Sequence, residues 1–268
     1  MFSSLEGKPR HLCRGRVTKI IEILEEPICI LGGWAVYLTV NNKFKTDLGP
    51  AYLGSRDIDL GFHIDSSLNE KELSKSTMKK ALDTLEINGF KPQGFRYYKE
   101  IEYGTDKELS EEEAKKTPAH NIFTMFVDPI VDYVHPLFKK IFNFDPVDET
   151  FLTHVFNDKS KRKELTEFNK LLWLPTADVL LATKIKSAIN RQKDEKYVKD
   201  ICDIYALSWY SDIKYHKINN DVHRILGDSY FRKLQKRMNK DKTVFDKASI
   251  ATNIDSEIIR NTLEELCS

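Results

Sequence analysis

Residues 28–35 read Ile28-Cys29-Ile30-Leu31-Gly32-Gly33-Trp34-Ala35, and residues 55–60 read Ser55-Arg56-Asp57-Ile58-Asp59-Leu60. The first segment is an apolar run that ends in two glycines. It predicts a strand over 28–31 that turns directly into a helix from 34. The second alternates acid and aliphatic side chains, which predicts a strand over 57–62. A strand repeats every two residues, so Asp57 and Asp59 share one face while Ile58 and Leu60 enter the core on the other. Two carboxylates that close repel and raise one another's proton affinity unless a cation compensates them. Hard oxygen ligands of this kind suit magnesium, which binds one or two carboxylates and fills its shell with water and phosphate oxygens. At the strand-to-helix junction, Gly32 and Gly33 present no Cβ, and the first N–H groups of the helix favour an anion. Either pair alone is commonplace. The ordered set of strand, Gly-Gly, helix and then Asp-x-Asp is far more specific.

In this order the motifs resemble the nucleotidyltransferase superfamily related to DNA polymerase beta. The form Gly-Gly-Trp-Ala-Val-Tyr-Leu with Ser-Arg-Asp-Ile-Asp-Leu is most similar to the abortive-infection (AbiEii-like) toxin nucleotidyltransferases and the small antibiotic adenylyltransferases. The resemblance implies an α+β fold, with a small mixed sheet and flanking helices followed by a helical C-terminal region. It also implies a third carboxylate on a later strand. Asp132, in Ile130-Val131-Asp132-Tyr133-Val134, is the preferred match, with Asp128 as competitor. Asp128-Pro129 reads as a turn between two strands because proline cannot donate to a ladder.

A second block of resemblance spans Pro175-Thr176-Ala177-Asp178 to Lys184, then Arg191 and Lys199-Asp200-Ile201-Cys202-Asp203. On helices, Lys184 and Arg191 lie two turns apart on one face, and Asp200 and Asp203 are i,i+3 neighbours. By resemblance Lys184, with Arg191, meets nucleotide phosphates and Asp200 organises the site, while Gly32, Gly33 and Ser55 hold the β and γ phosphates. The family commonly has serine where Gly33 stands, which removes a side-chain contact and leaves the backbone donors.

The implied chemistry uses two Mg2+ ions held by Asp57, Asp59 and Asp132, with Asp132 acting as ligand or general base. A nucleoside monophosphate then passes from an NTP to an acceptor hydroxyl. The acceptor is open between tRNA, a protein hydroxyl and a small molecule, and the toxin-like reading brings an antitoxin partner with it. An antibiotic adenylyltransferase stays in view because Asp132 to His135-Pro136 resembles an ending found there. A catalytically silent nucleotide-binding module is the non-enzyme alternative.

Composition sets limits on these readings. The chain has 268 residues, 31% charged and 41% apolar, and no apolar run approaches the roughly 18 residues that span a bilayer. Residues 1–16 are basic and lack an apolar signal core, so the expected location is the cytoplasm, with no membrane role. The four cysteines are widely spaced, and the seven histidines show no metal-protease spacing. Net charge is +1, divided as −4 over residues 1–150 and +5 over 151–268. The basic excess peaks in Phe231-Arg232-Lys233-Leu234-Gln235-Lys236-Arg237-Met238. Phe231, Leu234 and Met238 would form the buried face there, leaving the cations for solvent or an RNA backbone.

Elsewhere the periodicity predicts helices over 17–24 and 71–88 and a strand over 94–103. A polar insert covers 105–116, and two strands are expected at 121–127 and 130–134. The division expected from this pattern is a catalytic domain over 1–145 and a mainly helical domain over 146–268, with two helices in 175–207 and two or three more after 221.

Overall fold

The computed structural model describes residues 9–55, 57–105, 107–144 and 146–268, with side chains from Gly15 onward. Helix α1 (Pro9–Ile23) leads to strand β1 (Ile28–Leu31), which passes straight into α2 (Gly32–Leu48). A loop then reaches β2 (Asp57–Phe62), the short α3 (Glu70–Leu73) and α4 (Thr77–Ile87). The hairpin β3 (Lys91–Gln93) and β4 (Arg96–Glu102) follows, then α5 (Glu111–Lys116) and the long β5 (Ile122–Val131). Beyond these come α6 (Phe138–Phe142), β6 (Val147–Asp148), α7 (Leu152–Asn157) and the hairpin β7 (Arg162–Glu167) and β8 (Lys170–Pro175). The rest is helical: α8 (Ala177–Asn190), α9 (Asp194–Tyr210), α10 (Tyr215–Leu226), α11 (Asp228–Lys240), α12 (Thr243–Thr252) and α13 (Ser256–Leu266).

One mixed sheet runs in the order β3-β4-β5-β2-β1-β8-β7, with β6 beside β5. β2 is antiparallel to β1 and parallel to β5, while β1 is parallel to β8. This is the expected α+β architecture with a helical C-terminal region. The period-two reading of β2 holds, because Ile58 and Leu60 are fully buried while Asp57 and Asp59 face the other way. Ile28 and Ile30 of β1 join the same large core as Trp34, Ala35 and Val36 of α2. On the opposite face Cys29 and Leu31 form a smaller apolar cluster with Leu152, Val155 and Val179. Helix α9 packs against α2, α8 and α12, so the helical half clamps the strand-helix junction instead of standing apart from it.

The structure corrects the sequence reading in three places. Residues 122–131 are one strand, with no turn at Asp128-Pro129. Pro129 falls after the last β4 pair, Tyr97↔Val127, and before the first β6 pair, Ile130↔Val147. In that gap a missing N–H leaves no ladder bond unmade. Next, the sheet does not end at 145, a position that itself lies outside the described residues. β6, β7 and β8 all come from beyond it, and β8 is the direct neighbour of β1. Finally, the helix expected over 71–88 is two helices. Asn69 and Glu72 form a capping box on α3, and Ser76 caps α4 by accepting from the Lys79 N–H.

Candidate active site

The strand-to-helix junction sets the geometry. Gly32 has φ +57°, and a Cβ there would lie 1.7 Å from Asp59 Oδ2. A Cβ on Gly33 would lie 2.7 Å from the Cβ of Ser55. The two glycines therefore let β2 and the preceding loop close against the start of α2. Leu31 precedes this helix and supplies no side-chain cap, which leaves the first-turn N–H groups open to an anion.

Strand pairing gathers the acids. Asp59 lies opposite Leu31 of β1 and opposite Asp128 of the parallel β5, and Asp57 lies opposite Phe126. Asp57, Asp59 and Asp128 thus share one face of two adjacent strands. Burial pushes the Asp59 carboxyl up to about 6, with Asp128 and Asp57 adding to the shift and Lys184 opposing it. Burial also raises Asp128, against the pull of Arg96.

Two cations answer this charge. Arg96, the first residue of β4, grips Asp128 as a fork, with Nε 2.9 Å from Oδ1 and Nη2 2.5 Å from Oδ2. The same Nη2 is 3.6 Å from Asp57 Oδ2, and Lys196 of α9 lies 3.5 Å from that oxygen. Among the described residues no three Asp, Glu, His or Cys side chains close on a common metal-sized point. The donor set nevertheless fits a hard divalent cation in kind. It offers carboxylate oxygens on one face, a partly buried acid of raised proton affinity, and a glycine cradle that a Cβ would fill.

Asp132, the residue the sequence reading preferred as third acid, is elsewhere. It follows β5 by one residue, four residues or about 13 Å along from Asp128. Its side chain is buried, accepting from the Ile64 N–H at 2.9 Å and meeting His63 Nδ1 at 2.5 Å. The continuous strand explains the exchange, since Asp128 is the position in register with Asp59.

The second block forms a charged interior. Lys184 is buried with Nζ 2.8 Å from Asp203 and 3.4 Å from Asp200. Burial works against its charge, but Asp203 and Asp200 hold its pKa above the usual lysine value, and Asp59 contributes in the same direction. Asp200 also accepts from Arg191 Nε at 2.7 Å and Ser187 Oγ at 2.9 Å. Asp203 takes Tyr52 OH at 2.7 Å and Lys199. Arg191 and Asp200 are therefore partners of one another, and the Lys184 charge also acts on Asp59 without an ion pair between them.

Arg96 and Lys196 escaped the sequence reading. Each meets the acids only through tertiary contact, and neither sits in a motif. Asp128 was legible as a candidate and lost to Asp132 only on the assumed turn.

A scan against protein-family models finds no match, and a search of curated proteins finds no significant relative. Among solved structures, the chain is similar to the crystal structure of an antigenic nucleotidyltransferase-like protein from Paracoccidioides brasiliensis. Identity is 15%, the match covers 91% of this chain and 93% of that one, and the TM-score is 0.45. At that distance the likeness fixes no residue's role.

Proposed function

We propose that this protein is a magnesium-dependent nucleotidyltransferase that moves a nucleoside monophosphate from an NTP to an acceptor hydroxyl. The observation that carries the reading is the register of β2 with β5. It sets Asp57, Asp59 and Asp128 on one face, against a Gly-Gly turn at an uncapped helix start. Asp57, Asp59 and Asp128 would hold the metal, which when bound polarises the phosphates and steadies the attacking and leaving oxygens of an in-line displacement. The open N–H groups of Gly32 and Gly33 would seat the triphosphate, with Ser55 beside them. Lys196, half exposed and 3.5 Å from Asp57, would neutralise charge on the leaving pyrophosphate. Lys184 acts indirectly in this reading, its charge favouring the ionised form of Asp59.

The finer assignment, an AbiEii-like toxin acting on RNA with an antitoxin partner, rests on motif resemblance and on the exposed cations Arg232, Lys233 and Lys236 of α11. The test is incubation with each α-labelled NTP and Mg2+, offering total tRNA, protein extract or an aminoglycoside and lincosamide panel. Label should move to one acceptor class and should fail to move with Asp59→Asn or with EDTA. Transfer undiminished in Asp59→Asn, or no transfer to any acceptor, would remove the reading.

A further inference from the structure

Arg96 spans two acids of the face. Its fork engages both oxygens of Asp128, and its third contact leans on Asp57, so a cation joining those acids would compete with the guanidinium for the same oxygens. The side chain is held on its other sides by aromatic rings. The guanidinium carbon lies 4.4 Å from the centroid of Phe126, the residue opposite Asp57, and 5.1 Å from that of Phe95.

Its mounting is light. Arg96 begins β4 one residue before the last β4–β5 pair, next to the hairpin tip of Gly94, with φ +62°, and the exposed Phe95. The outer strand β3 has three residues and pairs only with β4. The tip and β3 can shift without unmaking the β4–β5 pairs, which begin at Tyr97.

We propose that Arg96 is the resident counter-ion of the acid face, a positioning residue that occupies Asp128 and Asp57 until a divalent cation displaces it. The inference rests on the nucleotidyltransferase reading above and adds a competitor to it. A planar fork on a carboxylate is a directed contact that a point charge does not reproduce. Lys196 also neighbours Asp57, but through one contact at 3.5 Å from a half-exposed side chain. Comparing the two cations separates a specific clamp from general loss of positive charge.

The experiment titrates Mn2+ alone, without nucleotide, into the full chain by calorimetry. Arg96→Met should tighten Mn2+ binding tenfold or more, whereas Lys196→Met should change it less than threefold. Equal changes in the two variants, or no change in Arg96→Met, would overturn the proposal. Independently of any variant, the Arg96 Nε–H resonance in the wild-type protein should move and lose its exchange protection as Mg2+ is added. A resonance unchanged at saturating Mg2+ would overturn the proposal even if Arg96→Met does not fold. Asp59→Asn separates the two claims. If it binds Mn2+ as wild type does, the metal is not on these acids and the functional reading falls. If it abolishes binding while Arg96→Met is silent, only the role of Arg96 falls.

Discussion

Asp128 and Asp132 lie four residues apart and have opposite expected fates when replaced. Asp128→Asn should cost nucleotidyl transfer orders of magnitude, because it removes an acid from the face shared with Asp59. Asp132→Ala should keep most transfer per folded molecule and lose about 1–3 kcal/mol of stability, since the Ile64 N–H is then buried without an acceptor. Label transfer paired with urea unfolding checks both, and the reversed pattern would return the third acid to Asp132. Asp59 adds a pH dependence in metal-free protein. Its carboxyl titrates near 4 in an unfolded chain and at about 6 in the fold. The folded state therefore holds the extra proton between those values. Asp59 favours folding below about pH 4 and progressively opposes it as pH rises through 6. Asp59→Asn should gain on the order of 2 kcal/mol relative to wild type at pH 8, and much less at pH 4, in thermal melts across that range. The Gly-Gly turn and both acids of β2 were readable because their signals are local: a break in an apolar run and a period of two. Arg96 and Lys196 were not, since an ion pair formed across 32 residues or more leaves no trace in either neighbourhood.

Helices α8 and α9 meet through charge as well as apolar packing, and that changes what Lys184 is expected to do. As a phosphate ligand it would alter the nucleotide constant when removed. As the buried partner of Asp203 and Asp200, its loss strands two acids in the interior and leaves Lys199 and Arg191 to serve them. Lys184→Ala should cost about 3–5 kcal/mol in chemical denaturation, and a variant as stable as wild type would sink this account. Helix α11 follows its sequence pattern closely, with Phe231, Leu234 and Met238 buried. Arg237 is the departure. It donates to the carbonyls of Ile189 and Arg191 and lies over the Tyr197 ring, so it belongs to the helix junction. A triple neutralisation of Arg232, Lys233 and Lys236 is accordingly the right probe for RNA. Each lost phosphate contact should flatten the dependence of log affinity on log salt by about 0.7–0.9. An unchanged slope would leave a protein or small-molecule acceptor as the better choice. At this scale helices were far more legible than strands. β7 is a charged edge strand whose sequence, Arg-Lys-Glu-Leu-Thr-Glu, carries little apolar alternation, and its pairing with β8 supplies what its own residues do not announce.

The molecule as a whole does not divide where its composition changes. β1 is an inner strand held by β2 on one side and by β8 on the other, and α2 is clamped by α8 and α9. A fragment of residues 1–145 should therefore fail to fold cooperatively, because it exposes the inner edge of β1 and the outer side of α2 together. Circular dichroism melts decide this, and a sharp transition near that of the full chain would restore the earlier boundary. No helix among the described residues is long and apolar enough to cross a membrane. The pairing of β1 with β8 also carries a cost in time. Ile28 emerges from the ribosome about 140 residues before its partner Leu172, a wait of roughly 7–30 s at ordinary elongation rates. Through that interval the nascent chain carries a bare apolar strand edge, open to non-native pairing until β8 arrives to cover it.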